Sequence, residues 1–151
     1  RFIATPQLIL GFAFSWGIPL AFISSKQPLT ALVFLLMLIN FLWILCYDTY
    51  YALVDKEDDL KIGVKSTAIF FGKYVKRAIV GFQLLIGILW LVLAYLYQLT
   101  FIFYPLFLLA HVFFIYQYYL TKTCQREEYF KAFLNNHWYG MVMFLSIFLS
   151  I

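Results

Sequence analysis

Long runs without a charged residue divide this chain of 151 residues, and they constrain its fold more than any other feature. A helix needs roughly 20 apolar residues to cross a bilayer. Three of the runs therefore each predict one crossing: residues 2–25, 27–47 and 132–151. The remaining run, 78–121, predicts two crossings with a turn near Gln98-Leu99-Thr100 and Pro105. The predicted fold class is all-α, a polytopic transmembrane helix bundle with about five spans.

Composition agrees with a membrane protein. Hydrophobic residues make up 65% of the chain and aromatic residues 23%, and the mean hydropathy is +0.89. These values exceed what a water-soluble domain of this size buries in its core. No repeat, low-complexity stretch or soluble domain is visible, and the segment 24–28 reads as a short loop.

The basic residues predict the orientation. Five crossings place the N-terminus and the segments 55–77 and 121–137 on one side. That side carries all the basic residues except Lys26: Arg1, Lys56, Lys61, Lys65, Lys73, Lys76, Arg77, Lys122, Arg126 and Lys131. Lys and Arg near the ends of spans remain cytoplasmic during insertion. We therefore expect this side, and the acidic cluster at 48–59, to face the cytoplasm.

Several classes of function are disfavoured by the same residues. The net charge of +4 reflects the topology and attracts the chain to anionic head groups. The sequence has no basic-aromatic pattern typical of nucleic-acid binding, so we expect no nucleic-acid partner. Cys46 and Cys124 form no CxxC motif, which favours packing residues over a disulfide or zinc site. The chain begins with Arg and shows no signal peptide, so we expect an upstream segment to have been removed.

Five of the seven acidic residues lie between residues 48 and 59. With about 100° of rotation per helical residue, Asp48, Asp55 and Asp59 fall within an arc of roughly 40°. Tyr51 borders this arc, whereas Glu57 points to the opposite face. If the second span continues past the membrane surface, it therefore carries a stripe of three carboxylates, called the acidic stripe below.

Carboxylates on successive helical turns repel one another unless a cation lies beside them. Mg²⁺ prefers oxygen ligands and is commonly held by one or two carboxylates together with substrate phosphates. The acidic stripe therefore predicts a magnesium and diphosphate site that uses Asp55 and Asp59. A solvated helix end is the simpler interpretation. Asp48 argues against it, because an unpaired carboxylate near the interface usually marks a site.

The segment after the stripe offers further candidates. Lys61 and Lys65 lie one turn apart if this segment is helical, and they would then neutralise phosphate oxygens, unless they only follow the positive-inside pattern. The stretch 63–67 lacks the upstream glycine and the strand of a phosphate-binding loop, so that interpretation fails. Ser66 and Thr67 are expected to cap the helix that re-enters the membrane.

Other polar and small residues are expected to be mainly structural. His111, in mid-span, predicts a hydrogen-bonded helix contact rather than a base or ligand. Asn135, Asn136 and His137 precede the last crossing, where they either cap its helix or reach a substrate. The glycines and proline of the first span predict close helix approach and a bend: Gly11, Gly17 and Pro19. Most aromatic residues are expected to pack, although some, Tyr51 first, would shield a cation.

Three segments carry a resemblance to a known family. YDTYYALVDKEDDLKIGVKSTAIFFGK at 47–73 resembles the second aspartate-rich motif of the UbiA superfamily of membrane prenyltransferases. PQLILGFAFSWGIP at 6–19 is similar to the helix before that motif, and YFKAFLNNHWYG at 129–140 to the closing segment of the family. The resemblance covers nearly the whole chain and is strongest to the members that prenylate 4-hydroxybenzoate.

The resemblance implies a bundle of about nine helices around a central cavity, in a bacterial inner membrane. It implies that Asp55 and Asp59 bind Mg²⁺ bridged to a polyprenyl diphosphate and that Asp48 supports them. The reaction implied is transfer of the polyprenyl group to the ring carbon ortho to the hydroxyl of 4-hydroxybenzoate, on the path to ubiquinone. The first motif of the family, NDxxDxxxD, is missing, because the sequence contains no Asn-Asp pair. Residues 1–151 are therefore expected to be the C-terminal part of one prenyltransferase domain.

Three alternatives remain open. A relative with another acceptor, an aromatic compound or haem, would share every feature above. An ion-coupled transporter would place acidic residues at the cytoplasmic mouth of a bundle to bind its coupling ion. A scaffold subunit would leave the acidic stripe solvated, so that neutralising it would change little.

Overall fold

The computed structural model describes residues 5–150, and helices are the regular secondary structure within that range. The predicted position of Arg1 lies outside the described residues. The elements are α1 Pro6–Ser15, α2 Gly17–Ser24, α3 Ala31–Ile62, α4 Thr67–Phe71, α5 Val75–Leu96, α6 Phe103–Leu120 and α7 Arg126–Phe148, with a 3₁₀ turn at Gly72–Tyr74 between α4 and α5.

Four helical segments are long and apolar enough to cross a membrane: Pro6–Ser24, Ala31–Ile62, Thr67–Leu96 and Phe103–Leu120. They match the first four predicted crossings, and the all-α membrane bundle is confirmed. The segment of the fifth predicted crossing forms α7, which is long enough but not apolar enough to count among these spans, so that crossing stays a prediction. Its first half is polar because it carries charged residues up to Lys131, followed by Asn135, Asn136 and His137.

The long helix α3 lies at the centre of the fold and packs against α1, α5 and α7, while α6 and α7 form a closely packed hairpin. The main core contains residues from α3, α5, α6 and α7, among them Cys46, Ile86, Phe114 and Tyr139. Many large apolar side chains on the outer faces remain exposed. This distribution fits a bundle whose surroundings are lipid rather than water.

The first span is interrupted where α1 ends and α2 begins, at Trp16. Pro19 has no backbone N–H to donate to the carbonyl of Ser15, which explains the predicted bend. A Cβ atom at Gly11 would lie 3.1 Å from the ring of Phe41, so the predicted close approach is confirmed there. No atom lies within 4 Å of the corresponding position at Gly17, so that part of the prediction is wrong.

Three contacts bring the charged segments to one end of the bundle. Arg126 at the start of α7 forms salt bridges with residues near the end of α3. The Lys76 ammonium, at the start of α5, donates a hydrogen bond to the Thr121 carbonyl after α6. Lys26 lies in the loop between α2 and α3, at the opposite end of α3. Apart from Arg1, the basic residues are therefore distributed between the two ends as the sequence predicts.

Candidate functional site

The acidic stripe lies on one uninterrupted helix, because α3 continues from Ala31 to Ile62. Asp48, Asp55 and Asp59 are each half-buried. In a regular helix Asp55 and Asp59 are one turn apart, about 6 Å, whereas Asp48 is separated from Asp55 by about 10 Å of helix rise. The predicted continuation of the second span is confirmed. Geometry allows Asp55 and Asp59 to act on one ion and leaves Asp48 two turns away.

The stripe lies along the side of α3 between α1 and α7. Phe41, two turns before Asp48 on the same face, contacts Gly11 of α1. On the neighbouring face, the ring of Tyr51 packs against Phe133 of α7 with 5.2 Å between the ring centroids. The face of α3 that carries the stripe therefore continues the face that packs on α1, and Tyr51 beside it packs on α7.

Arg126 of α7 reaches the stripe and was not singled out as a site residue from the sequence. Its Nη2 lies 3.5 Å from Oδ1 of Asp55, and its Nη1 donates to Oδ2 of Asp58 at 3.2 Å. Lys61 Nζ is 3.0 Å from the other oxygen of Asp58. One side chain of the predicted metal pair is thus already paired with a guanidinium. The only signal in the sequence was a basic residue on the side of the membrane that carries the stripe.

The fit of the stripe to Mg²⁺ depends on the ligands that α3 supplies. Within residues 5–150, no three His, Cys, Asp or Glu side chains converge closely enough to hold an ion. Asp55 and Asp59 supply carboxylate oxygens on adjacent turns, and Mg²⁺ often takes one or two carboxylates and keeps several waters. These two residues therefore fit half of a magnesium site, and its other ligands must come from elsewhere.

The lysines do not form the predicted phosphate-binding pair on a helix. The left-handed backbone of Gly63, with φ of 69°, ends α3, and Lys65 lies in the non-helical segment that follows. Lys61 is exposed and bonded to Asp58. The two lysines therefore do not lie one turn apart on a helix, which the predicted pairing required. A glycine after a basic last turn was the available signal for this helix end.

The start of α4 is held by a distant side chain. The Thr67 backbone N–H donates to Oε1 of Gln7 in α1 at 3.0 Å, and the Thr67 hydroxyl shares a 2.9 Å hydrogen bond with that of Thr49. Ser66 occupies the cap position without a side-chain cap bond, and its buried Oγ has no partner within the described part of the chain. The predicted capping by Ser66 and Thr67 side chains is wrong. Sequence spacing does not reveal a contact with α1.

A cavity of about 620 Å³ lies between α2, α3 and α7, and Trp90 of α5 also borders it. Its walls are mainly apolar and aromatic, with Trp43 and Tyr139 among them and Asn40 as a polar group. Asn40 donates to the hydroxyl of Ser15 at 3.1 Å. None of the three stripe carboxylates is among the described residues that line this cavity. The cavity offers the aromatic walls that the sequence predicts, but it lies deeper than the stripe.

The polar triplet 135–137 lies inside α7, which begins at Arg126, so its predicted capping role is wrong. Helix α7 starts instead with a capping box between Gln125 and Glu128, in which the Gln125 backbone N–H donates to the Glu128 carboxylate at 3.3 Å. A glutamate three residues after Gln125 is the sequence signal for such a cap. Asn136 is buried, and its Oδ1 accepts a hydrogen bond from Trp43 Nε1 at 3.1 Å. Asn136 thus orients an aromatic wall of the cavity. The predicted substrate contact stays a prediction.

His111 behaves as the sequence predicts. Its Nδ1 is 2.8 Å from the Phe107 carbonyl, one turn earlier in α6. A Cβ at Gly87 of α5 would lie 3.0 Å from His111 Nε2, so the two helices meet closely at this point. The histidine is therefore hydrogen-bonded within α6 and packs against α5, whereas its buried Nε2 has no hydrogen-bond partner among residues 5–150.

The two cysteines are free, and their environments differ. Cys46 is fully buried in the core of the bundle, as a packing residue should be. Cys124 is exposed in the turn between α6 and α7, so the prediction that it packs is wrong. The Tyr129 hydroxyl, followed by Lys76, lowers the pKa of the Cys124 thiol by hydrogen bonding.

Sequence similarity shows the family to which this chain belongs. The sequence profile described as the UbiA prenyltransferase family matches residues 1–148. The chain belongs to the UbiA prenyltransferase family. Membership in this UbiA family confirms the resemblance seen in the three motif segments.

Relatives within the UbiA family carry a common name, "4-hydroxybenzoate octaprenyltransferase". The chain is 47% identical over 150 residues to the protein of that name from Tolumonas auensis, which covers 99% of this chain and 52% of the relative. Its identity to the one from Haemophilus ducreyi is 44% over 151 residues, covering 100% of this chain and 54% of the relative. The UbiA-family chain thus spans about half the length of these curated relatives. No solved structure matches it.

Proposed function

We propose that this chain takes part in Mg²⁺-dependent transfer of a polyprenyl group from a polyprenyl diphosphate to 4-hydroxybenzoate, in ubiquinone biosynthesis. The bond formed joins the first carbon of the polyprenyl group to the ring carbon ortho to the hydroxyl. The bond broken is the allylic C–O bond, whose electron pair leaves with the diphosphate, and the ring then loses a proton. Family membership and the names of the relatives support this reaction.

One observation carries the proposal. Asp55 and Asp59 lie one turn apart on an uninterrupted helix at the basic end of the bundle, where Arg126 of α7 reaches Asp55. Solvated surface acids would not need to be half-buried, and Asp59 and Asp48 form no salt bridge within residues 5–150. Two such carboxylates are the usual protein contribution to a magnesium and diphosphate site.

Each site residue has a distinct role in this proposal. Asp55 and Asp59 hold Mg²⁺, which would neutralise the charge that develops on the departing diphosphate. Asp48 supports the stripe from two turns deeper. Lys61 and Lys65 contribute positive charge toward the phosphate oxygens, and Tyr51 presents an aromatic face near the allylic carbon.

We also propose that residues 1–151 form the C-terminal part of one prenyltransferase domain in a bacterial inner membrane, with the stripe facing the cytoplasm. The half-length match to the relatives supports this arrangement. The remaining magnesium ligands would then come from an N-terminal half of the same protein. This requirement agrees with the single carboxylate pair that α3 supplies.

The nearest alternative is a UbiA-family reaction with another acceptor. The names of the relatives favour 4-hydroxybenzoate, while the cavity walls are apolar and aromatic and would suit many aromatic rings. No contact among the described residues favours an ion-coupled transporter over an enzyme.

The test supplies the N-terminal half of a relative and assays membranes with a polyprenyl diphosphate, Mg²⁺ and 4-hydroxybenzoate. Asp55→Asn and Asp59→Asn should each lower kcat/KM by about 10²–10³-fold, the loss typical of removing one electrostatic contact to a transition state. Glu57→Gln is the matched control, because it removes one negative charge from the opposite face of α3. Unchanged turnover in both asparagine variants would refute the metal assignment.

A further inference from the structure

A polar cleft lies on the side of α3 opposite the acidic stripe. It has a volume of about 360 Å³ and is bordered by the end of α3, the segment 72–76 and the start of α7. Glu57 lines it, and helix geometry places Glu57 about 180° around α3 from Asp48. The cleft and the stripe therefore occupy opposite faces of the same helix.

Positive charge is in excess in this cleft. Its lining carries Lys56, Lys73, Lys76 and Arg126 against one acid, Glu57. Arg126 is already paired with Asp55 and Asp58 across α3. The three lysines form no salt bridge with any of the residues from 5 to 150. Even after Arg126 is set aside, three cationic side chains face one carboxylate.

The neighbours of Lys73 and Lys76 do not remove this excess of positive charge. Lys76 donates to the Thr121 carbonyl, and Glu128 of α7, outside the lining of the cleft, also acts on it electrostatically. The ammonium of Lys73 rests over the ring of Tyr74, 5.1 Å from its centroid. Neither the carbonyl nor the aromatic ring supplies a negative charge, and with Glu128 counted the three lysines still outnumber the two carboxylates.

The shape of the cleft strengthens its positive potential. Lys56 comes from α3, Lys73 and Lys76 from the segment leading into α5, and Arg126 from α7, so three parts of the fold converge. Apolar side chains, including Leu53 and Val75, form the rest of the wall. A concave site with apolar walls concentrates the field of its charges. Basic residues that only followed the positive-inside pattern would not need to share one cavity.

Cys124 also borders the cleft, so its thiol is a probe of whether the cleft is occupied. The pKa of its thiol is lowered by a hydrogen bond to the Tyr129 hydroxyl and by the nearby Lys76. The surroundings thus stabilise a negative group at this wall.

We propose that this cleft binds a phosphate group, through Lys56, Lys73 and Lys76. Lysine binds phosphate as a mobile point charge, and three lysines around one cavity match the charge of a phosphate monoester or diester. The phosphate belongs either to a soluble anion or to the head group of an anionic lipid, because the cleft lies at the cytoplasmic end of the bundle. The site does not depend on the proposed transfer reaction.

Alkylation of Cys124 by a maleimide provides the test, since Cys46 is buried and Cys124 is exposed. The protein is reconstituted in nanodiscs of neutral phosphatidylcholine, and the rate is measured with inorganic phosphate, with inorganic diphosphate and with sodium chloride of equal ionic strength. A fourth sample contains phosphatidylglycerol in the nanodisc. A bound ligand should slow alkylation about tenfold at about ten times its Kd, because only the unoccupied cleft reacts.

Two double variants make the test specific. Lys56→Gln with Lys73→Gln removes two cleft charges without touching Lys76, which acts on Cys124 directly. Lys122→Gln with Lys131→Gln removes the same charge from the same end of the bundle, outside the cleft lining. The ratio of rates with and without ligand is compared within each variant, which cancels any change in thiol reactivity.

The pattern of protection identifies the source of the phosphate. Protection by phosphate or diphosphate in neutral nanodiscs indicates a soluble anion, and protection only with phosphatidylglycerol indicates a lipid head group. In either case it should disappear in the first double variant and persist in the second. Equal rates in all samples, equal protection in the first variant, or loss of protection in the second would each overturn the proposal.

Discussion

Asp55 and Asp59 are chemically identical, but their neighbours differ. Asp55 faces the guanidinium of Arg126, whereas Asp59 has no cationic partner among residues 5–150. The pair is partly open to water, since 39% of the Asp55 side chain and 61% of the Arg126 side chain are exposed. An exposed pair of this kind contributes only about 0.2–1 kcal/mol. Arg126 therefore competes with a metal ion for Asp55 and does not exclude it.

Replacing Arg126 should strengthen metal binding at the stripe. We expect Arg126→Gln to lower the Kd for Mn²⁺, used as a probe for Mg²⁺, by up to about fivefold, which corresponds to about 1 kcal/mol. Electron paramagnetic resonance of the free ion measures this in nanodiscs. Arg77→Gln serves as the control with the same change in charge. An unchanged or higher Kd in Arg126→Gln would contradict the competition.

Cys124 should react with a distinct pH dependence. Its lowered pKa means that the thiolate is more populated at neutral pH than in an unperturbed cysteine, so its alkylation rate should reach half its maximum at a lower pH than that of a cysteine peptide measured alongside. Lys76→Gln removes one cause of the shift and should move the midpoint upward. Stopped-flow alkylation across pH checks both, and Cys124→Ser should abolish the fast reaction. A midpoint at or above that of the peptide would refute the assignment.

At the scale of elements, the contact between α3 and α7 depends on a missing side chain. A Cβ at Gly140 would lie 2.5 Å from the Trp43 ring, closer than atoms pack. We expect Gly140→Ala to lower the free energy of unfolding by about 1–3 kcal/mol, as overpacking usually does. Denaturant titration in detergent micelles measures the change.

Gly81→Ala is the matched control for that substitution. Gly81 lies in α5 with no atom within 4 Å of the added Cβ, so alanine should be neutral or stabilise by up to about 1 kcal/mol. If both variants lost the same stability, the tight contact at Trp43 would not be the cause.

Amide side chains connect three helices of the bundle. Gln83 of α5 donates to Gln117 of α6 at 3.2 Å, and Gln117 donates to Asn135 of α7 at 3.1 Å. Helices α5 and α6 otherwise make few contacts, so this ladder specifies how they align. Such hydrogen bonds contribute about 0.6 kcal/mol on average between membrane helices.

A double-mutant cycle on Gln83 and Gln117 should therefore reveal coupling. We expect Gln83→Leu and Gln117→Leu each to destabilise the fold, and their combination to cost about 0.5–1.5 kcal/mol less than the sum. Unfolding of the four proteins in the same micelle provides the measurement. Strict additivity would show that the amides contribute independently.

The helices were more predictable than their ends. Charge-free runs predict the spans well because lipid demands a continuous helix with satisfied backbone groups. The start of α7 is not evident from the sequence because Gln125 and Glu128 look like ordinary solvent-exposed polar side chains. The role of Gln7 is not evident because it lies 60 residues from Thr67. The acidic stripe was visible from spacing on α3 alone. The role of Arg126 was not visible from the sequence, because its pairing with Asp55 on another helix depends on how the helices pack.

For the whole molecule, the half-length match to the relatives bears on activity. We expect this chain alone to show little or no transfer, because one carboxylate pair does not clamp a diphosphate, and coexpression with the N-terminal half of a relative to restore it. Radiolabelled 4-hydroxybenzoate incorporated into lipid extracts measures both. Robust turnover by the chain alone would contradict the division of the metal site.

Helix α3 has 32 residues, which makes it about 48 Å long, whereas the hydrocarbon layer is about 30 Å thick. Its final turns must therefore stand above the acyl chains, and the height of Asp55 and Asp59 over the bilayer is set by the length of a stiff rod. Bilayer thickness thus becomes a determinant of access to these carboxylates. A membrane thicker by about 5 Å would bring them closer to the acyl chains by up to about one helical turn.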